Sequence, residues 1–409
     1  MNKELRNHAQ KIIDAAIKDN LPDEAVRHAL TGREFTGNLY LIAIGKAAWQ
    51  MAAAADECLG GKVKEGLVIT KYDHSQGPIA NYRIIEAGHP VSDENSYAAA
   101  QAALDMVSGL SSDDTVLFLV SGGGSALFEK PLVPEEEMQD VTKQLLACGA
   151  DITEMNTIRK RLSAVKGGKF AKACPAKVIA VVLSDILGDP LDMIASGPAS
   201  PDKSLREQAK ALVAKYDLKL SEKALKLLDI ETPKQLDNVE SHIVGSVRRL
   251  CESAAKTASE LGYEPHVLTD QLCCEARDAG SFLASIARTH ADDGKALAYI
   301  AGGETVVHLT GKGLGGRNQE IALSAAAGIA GLDNVLVFSL GSDGTDGPTD
   351  AAGGIVDGCT AGKLADIGIS IDKVLADNDA YTALGKVDGL LMTGPTGTNV
   401  NDVAVVLIK

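Results

Sequence analysis

Residues 115–129 are the stretch that most constrains how this chain can fold. A continuous apolar run over 116–120 is followed closely by three consecutive glycines, Gly122, Gly123 and Gly124. An apolar run that does not alternate with polar residues is typical of a parallel strand covered by helices on both faces. Glycines at the carboxyl end of such a strand let backbone N–H groups approach a ligand. The stretch therefore predicts either an anion-binding loop or a plain tight turn into a helix.

Length and composition favour a two-domain α/β protein. A chain of 409 residues exceeds what one hydrophobic core usually fills. Aromatic residues make up only 4% of it, which suits helices packed on parallel sheets better than an aromatic-cored sandwich. A polar stretch, 229–238, separates two runs of alternating strands and helices. We predict domains at 1–238 and 239–409, with two helices in 3–30, broken at Leu21-Pro22, packed on the outside of the first sheet.

Charge and hydropathy limit the classes of partner. The formal net charge of −15 and the pI near 5.0 argue against nucleic acid or an anionic membrane as the main partner. No window contains the roughly 18 apolar residues of a membrane span, and the N-terminus lacks the apolar core of a signal peptide. We therefore expect a cytoplasmic protein that acts on a small molecule. The sequence does not decide between a monomer and a homodimer.

Basic residues accompany glycines in two places. Lys46 follows a short strand and opens a helix, a position that disfavours a cation unless it is solvated or meets an anion. A second group, in 159–169 and including Lys166, surrounds a glycine pair. It predicts either a solvated helix face or a cationic wall for phosphates or a carboxylate. His74 and His89 follow other strand ends, where we expect hydrogen-bonded surface histidines.

Aspartates cluster in loops that follow predicted strands. Asp185 and Asp189 follow the strand at 178–183, and Asp343 and Asp346 follow the strand at 335–340. Such loops hold Mg²⁺ through one or two carboxylates and leave another as a general base, although turns alone also favour aspartate. The loops predict metal ligands and a base on this edge of each sheet, with turn formation as the alternative.

Residues 311–316 match G-x-G-x-x-G between a strand and a helix. A dinucleotide site of this type needs an acidic residue roughly 20 positions later, at the end of the next strand. Asp333 comes before that strand and Asp343 comes late, so the fit is poor. Lys312 and Arg317 instead predict a cationic phosphate clamp, with a glycine-rich helix entrance as the alternative.

Taken together, these loops resemble those of the glycerate 2-kinases of the class II or MOFRL type. Each matching stretch is unspecific by itself, but they occur in order through nearly the whole chain. They are Gly45-Lys46-Ala47, Glu86 to Pro90, Ser121 to Ala126, Leu162 to Gly168, Ser184 to Pro198, Gly302 to Glu304, Gly315 to Glu320, Asp343 to Asp350 and Gly394 to Asp402.

The resemblance implies ATP-dependent phosphorylation of D-glycerate, most often at the 2-hydroxyl. It also implies a larger N-terminal Rossmann-like domain with a parallel sheet and a smaller C-terminal α/β domain, facing each other across a cleft. A lysine and an arginine are regarded as central in that family, and by motif they are Lys46 and Arg317. No Walker A motif is present in the sequence, as in the family.

Phosphoryl transfer requires charge neutralisation, Mg²⁺ and a base near the attacking hydroxyl. We expect ATP and Mg²⁺ as cofactors and Asp189 as the base. The expected cofactor-binding residues are Gly122, Gly123, Gly124, Ser125, Lys166, Glu304 and Asn318, and the expected metal ligands are Asp185, Asp343 and Asp346.

Two alternatives remain at this stage. The pattern at 311–316 suits an NAD(P)H-dependent hydroxypyruvate reductase, and some relatives of the glycerate 2-kinases were given that name. A non-catalytic nucleotide or metabolite sensor would bind ligands without turnover. The reductase predicts NADH oxidation without ATP, which separates it from both other functions.

Overall fold

The structure, a computed structural model, describes residues 2–409 and divides them into two compact units. One is Ala25–Val244; the other is Gly245–Lys409 together with the segment that ends at Glu24, which carries helix α1 (Lys3–Asp19). These units do not coincide with the predicted domains at 1–238 and 239–409, whose boundaries stay a prediction. The two-domain α/β architecture itself is confirmed.

The unit Ala25–Val244, called the N-terminal unit below, is built on a six-stranded sheet. Its strands are β1 (Leu39–Ile44), β2 (Val63–Lys71), β3 (Arg83–Ala87), β4 (Thr115–Val120), β5 (Lys177–Leu183) and β6 (Val239–Gly245). They are ordered β3-β2-β1-β4-β5-β6, and the ladders that join β3, β2, β1, β4 and β5 are parallel. The order reverses between β1 and β4, and ligands of doubly wound sheets bind beyond the carboxyl ends of strands at such a switch point.

The continuous apolar runs of β1 and β4 are explained by two cores, one on each face of the sheet. Ile42 and Phe118 belong to one buried cluster, while Leu41 and Leu117 belong to the other. All six residues of β4 are buried, which confirms the predicted strand. The helices of this unit are α2 (Pro22–Leu30), α3 (Ala48–Leu59), α4 (Glu94–Ser108), α5 (Gly124–Leu127), α6 (Glu135–Ala147), α7 (Ile152–Leu162), α8 (Lys169–Ala173), α9 (Arg206–Tyr216) and α10 (Glu222–Leu228), with a 3₁₀ turn at Ile194–Ser196.

The other unit contains a mixed six-stranded sheet. Its strands are β7 (Glu264–Leu272), β8 (Leu297–Gly303), β9 (Val335–Gly341), β10 (Gly353–Asp357), β11 (Leu390–Leu391) and β12 (Asp402–Ile408), ordered β11-β10-β9-β12-β8-β7. Only the ladder between β7 and β8 is parallel among those of the described residues. The helices are α11 (Val247–Glu260), α12 (Ala276–His290), α13 (Arg317–Gly328), α14 (Thr360–Asp366), α15 (Ile371–Ala376) and α16 (Ala380–Gly385).

Helix α1 does not pack where the sequence predicted. Its apolar face, including Leu5 and Ile12, shares a buried cluster with Leu250 of α11 and Phe338 of β9. A helical apolar period identifies which face is buried but not which sheet receives it. The predicted break is correct, because α2 begins at Pro22. Among residues 2–409, no helix has both the length and the apolar composition needed to cross a bilayer.

Candidate active site

Lys46 and the glycine loop meet where β1 and β4 end side by side. The N–H of Lys46 donates a hydrogen bond of 2.8 Å to the carbonyl oxygen of Gly122. The N–H of Ala47 donates to Ser121 Oγ at 3.1 Å. The two strand-end loops are thus bonded to each other, and this follows from the direct pairing of β1 with β4. The structure brings together Lys46 and the three glycines that the sequence singled out.

Side chains pack so closely over this loop that it has no room for Cβ atoms. A methyl group on Gly122 would lie 2.3 Å from Asp185 Oδ2 and 3.6 Å from Lys46 Cε. On Gly123, which has φ +85°, it would lie 3.1 Å from His89 Nε2. The glycines are therefore required by close packing as well as by backbone conformation. Asp185 and Lys46 thus lie against the same glycine, and the metal role of Asp185 stays a prediction.

His89 is a residue of this site that the sequence reasoning assigned to the surface. Burial lowers the pKa of His89, and the positive charges of Lys46 and Lys71 lower it further. The ring is therefore neutral at pH 7, available to donate or accept a hydrogen bond. His74 is also close, because its Nδ1 lies 3.1 Å from the carbonyl oxygen of Lys46. The available signal was the position of both histidines at strand ends.

Lys166 supports the glycine loop from within the protein. Its side chain is completely buried, and Nζ donates to the carbonyl oxygens of Ser125 at 2.7 Å and Phe128 at 3.1 Å. Glu129 Oε2 lies 3.2 Å from the same nitrogen. Burial lowers the pKa of Lys166 to about 8. This placement does not support the predicted contact with a cofactor. The Lys166 ammonium group donates instead to the backbone carbonyl oxygens of Ser125 and Phe128, which follow the glycines.

The aspartate loop after β5 is held in a strained conformation. Asp189 has φ 53°, and Ala195 and Ser196 have φ 51° and 61°, all in the left-handed region that side chains other than glycine rarely adopt. Asp189 Oδ1 is buried without a hydrogen-bond partner in the described residues. Ser196 Oγ lies 3.0 Å from Ser125 Oγ, which ties this loop to the glycine loop. Strain of this kind is concentrated at functional sites. The role of Asp189 as the general base stays a prediction.

In the other unit, Arg317 is held by two carboxylates. Its guanidinium binds Asp402 in a bidentate arrangement, Nε to Oδ2 at 2.5 Å and Nη2 to Oδ1 at 3.1 Å. Nη1 donates to Glu304 Oε1 at 2.9 Å. The side chain of Asp402 is 8% exposed, whereas those of Arg317 and Glu304 are 32% and 48% exposed. The guanidinium is therefore bound to a buried carboxylate on one side and remains partly accessible to solvent. Asp402 was not among the predicted site residues, although it closes the last matching motif.

Asp346 caps helix α13, which begins at Arg317. Its Oδ1 accepts the N–H of Asn318 at 3.1 Å and its Oδ2 accepts the N–H of Gln319 at 2.8 Å. Burial raises its pKa to about 6. Both carboxylate oxygens serve the helix N-terminus. This contact gives the predicted metal role of Asp346 no support, and that role stays a prediction. The predicted cofactor contact of Asn318 is likewise unsupported, since its side chain is buried against Asp346 and Ser339.

Asp343, a predicted metal ligand, lies in the loop after β9, where its Oδ1 accepts hydrogen bonds from the N–H of Thr345 at 3.0 Å and from its hydroxyl at 3.2 Å. It is half-buried, and both its Oδ1 and that of Asp402 lie within 3.5 Å of the point where a Cβ of Gly341 would be. Within residues 2–409 no three His, Cys, Asp or Glu side chains are grouped so as to hold a metal by themselves. Mg²⁺ usually takes one or two carboxylates and completes its shell with phosphate and water, so these residues fit it.

The glycines of 311–316 are explained by packing. A methyl group on Gly311 would lie 2.2 Å from Asp377 Cα, and one on Gly313 would lie 2.4 Å from Asp379 Cβ. The N–H of Lys312 donates to Asp377 Oδ1 at 3.0 Å. The loop therefore needs glycines to lie against a neighbouring segment, which accounts for the G-x-G-x-x-G pattern without a dinucleotide.

Comparison with known proteins shows which family the chain resembles. Two family models match: a domain of unknown function (DUF4147) over residues 8–229 and the MOFRL family over residues 297–402. The chain is 51% identical to the D-glycerate 2-kinase of Thermotoga maritima, covering 99% of this chain and 98% of that protein. It is 39% identical to a protein of Agrobacterium vitis named putative hydroxypyruvate reductase, covering 98% and 94%.

A solved structure agrees over the full length. The crystal structure of glycerate kinase from Thermotoga maritima matches with a TM-score of 0.96 and 51% identity, covering 100% of both chains. Identity at this level over whole chains, rather than over one domain, fixes the family. The chain therefore belongs to the glycerate 2-kinase family of phosphotransferases, whose C-terminal part is the MOFRL family.

Proposed function

We propose that the protein transfers the γ-phosphoryl group of ATP to D-glycerate in the cytoplasm and forms 2-phosphoglycerate. The observation that carries this proposal is the pairing of Lys46 with a glycine loop at the switch point of the first sheet. A cation beside the backbone N–H groups of a glycine loop is an arrangement that stabilises a phosphate. The Thermotoga protein named D-glycerate 2-kinase, at 51% identity, supports the choice of acceptor.

In the N-terminal unit, Lys46 neutralises charge on the phosphates, and the loop of Gly122, Gly123 and Gly124 supplies N–H donors. Asp189 takes the proton of the attacking hydroxyl, because its buried Oδ1 has no hydrogen-bond partner among the described residues. The free electron pairs of that oxygen are then available to the substrate. Ser125 and Lys166 stabilise the segment that follows the loop, Ser125 through Ser196 and Lys166 through the carbonyl oxygen of Ser125.

In the other unit, Arg317 stabilises the charge that develops on the transferred phosphoryl group. Its bidentate bond to Asp402 fixes the plane of the guanidinium. Glu304 is the more exposed of its two partners, so a phosphate displaces Glu304 while Asp402 keeps the arginine in place. Mg²⁺ would neutralise charge on the phosphate oxygens, and we assign Asp185 in the N-terminal unit and Asp343 in the other unit as its candidate carboxylates.

The reductase is the second candidate, because a relative at 39% identity is named putative hydroxypyruvate reductase. Its only support within the chain is the glycine pattern at 311–316, whose glycines are accounted for by packing on Asp377 and Asp379. A coupled assay with ATP, Mg²⁺ and D-glycerate separates the two. We expect ADP release that depends on D-glycerate; NADH oxidation by hydroxypyruvate without ADP release would replace the kinase with the reductase.

A further inference from the structure

Most of the basic group in 159–169 is used inside the protein. Each of four cations has an internal acceptor. Lys160 Nζ lies 3.0 Å from Asp202 Oδ1, Arg161 Nη1 donates to the Thr157 carbonyl at 2.9 Å, Lys166 Nζ binds the carbonyls of Ser125 and Phe128, and Lys169 Nζ donates to the carbonyls of Ser163 at 2.6 Å and Arg161 at 3.0 Å. Of the five basic residues predicted to form a cationic wall, one is therefore left without an internal hydrogen-bond acceptor among the described residues.

That remaining cation is Arg159, in the last turn of α7. Its Nε is buried and has no hydrogen-bond partner among the described residues, while 17% of its side chain is exposed. The carboxylate beside it is that of Glu129, whose Oε2 lies 3.9 Å from Nη2, too far for a hydrogen bond. Glu129 already pairs with Lys166 at 3.2 Å. Within residues 2–409, the buried Nε of Arg159 is therefore a donor without an acceptor, and Glu129 is the carboxylate that pairs with this guanidinium.

The face of α7 that carries Arg159 is turned toward the glycine loop. Asn156, three residues earlier, lies on the same helical face. Its Oδ1 accepts a hydrogen bond of 3.2 Å from Ser196 Oγ, which lies 3.0 Å from Ser125 Oγ at the end of the loop. Arg159 is thus connected through Glu129 and Lys166 to Ser125, the residue that directly follows the three glycines.

We propose that Arg159 binds the carboxylate of the acceptor substrate; this inference rests on the proposed function. A hydroxy acid presents a planar carboxylate, and a guanidinium matches it with two parallel N–H···O bonds. Lys46 and Arg317 are then left to the phosphates. The acceptor hydroxyl is one carbon away from the carboxylate in 2-phosphorylation, so an anchor for the carboxylate also orients the hydroxyl. Arg159 is a specificity-determining residue in this account.

The test compares D-glycerate with D-glyceramide, its neutral amide, in wild type, Arg159→Ala and Arg159→Lys. We expect Arg159→Ala to raise KM for D-glycerate about 10²-fold, the effect of losing charge-assisted hydrogen bonds, with KM for ATP unchanged. Arg159→Lys keeps the positive charge but loses the two parallel N–H donors of the guanidinium, so we expect its KM for D-glycerate to rise about 10-fold. Turnover of D-glyceramide, which has no carboxylate, should be equally slow in all three proteins. Lys172→Ala, which removes an exposed cation from α8 of the same unit, is the matched control.

The outcomes separate this inference from the proposed function. If wild type phosphorylates D-glycerate and folded Arg159→Ala keeps its KM within about threefold, the inference is wrong and the kinase assignment stands. The same holds if both acceptors lose turnover equally in Arg159→Lys, because that pattern marks a structural role. If wild type neither binds D-glycerate by calorimetry nor phosphorylates it, the proposed function fails, and the inference with it.

Discussion

Replacing Asp402 by Asn isolates the anchoring of Arg317 from the arginine itself. The wild-type carboxylate accepts two hydrogen bonds from the guanidinium and is 8% exposed, whereas Asn is neutral and offers only one acceptor oxygen. Removing one partner of a fully buried ion pair costs about 3–5 kcal/mol. Here Arg317 is 32% exposed and keeps Glu304 at 2.9 Å, so we expect a smaller loss of about 1–2 kcal/mol in the free energy of unfolding.

The effect on catalysis should exceed the effect on stability. A guanidinium that tilts away from the phosphoryl group by about 1 Å loses roughly 10²-fold in rate. We therefore expect Asp402→Asn to lower kcat about 10²-fold, measured by ADP release, with the unfolding free energy measured by urea titration. Glu275→Gln is the matched control: Glu275 pairs with Arg277 at 3.1 Å in the same unit, and its loss should leave kcat unchanged. A folded Asp402→Asn protein with near-normal kcat would refute the anchoring of Arg317 by Asp402.

Three further predictions concern single residues of the two units. Arg317→Ala should lower turnover in the ADP-release assay by about 10³-fold or more while the protein stays folded, and near-normal turnover would remove Arg317 from the transition state. Lys166→Met should lower both the unfolding free energy, by about 3 kcal/mol in urea titration, and turnover, because Glu129 loses its buried partner and the glycine loop its support; Lys172→Met, at an exposed site, should change neither. The pKa of Asp346 is about 6 in the folded protein against 3.8 for an ordinary aspartate, so the folded state binds more protons. Stability should fall by up to about 3 kcal/mol as pH rises from about 4 to 6 and then level off, and Asp346→Asn should remove this contribution; equal pH slopes in both proteins would contradict it.

The sequence predicted best what depends on local pattern. The apolar run of β4 implied a strand with both faces covered, and the structure provides a core on each face. The three glycines and Lys46 were placed at one edge because both follow parallel strands, and they are hydrogen-bonded to each other. These predictions needed only periodicity and the rule that carboxyl ends of parallel strands share an edge.

What the sequence missed depends on partners far apart in the chain. Asp346 looked like a metal ligand, but it caps a helix that begins 29 residues earlier, at Arg317. Lys166 looked like a ligand contact, but its acceptors are carbonyls about 40 residues away, at Ser125 and Phe128. Arg159 was indistinguishable from its basic neighbours until their internal acceptors were known. Residue type and local spacing carry no information about which donors are already satisfied.

The same limit applies to the pattern at 311–316. Glycines that admit a phosphate and glycines that admit a neighbouring backbone leave identical sequence signatures, because both follow from the absence of Cβ. Only the contact with Asp377 and Asp379 distinguishes them. That contact weakens the reductase alternative more than the sequence did by itself.

Phosphorus NMR of a reaction containing ATP, Mg²⁺ and D-glycerate observes the proposed phosphoryl transfer itself. We expect the γ-phosphate signal of ATP to decrease while the signal of 2-phosphoglycerate grows in equal amount, and we expect Lys46→Ala and Arg317→Ala to abolish this transfer on the same timescale. Formation of 3-phosphoglycerate would keep the kinase but contradict the proposed position of phosphorylation. An unchanged ATP spectrum with active, folded wild-type protein would contradict the kinase itself.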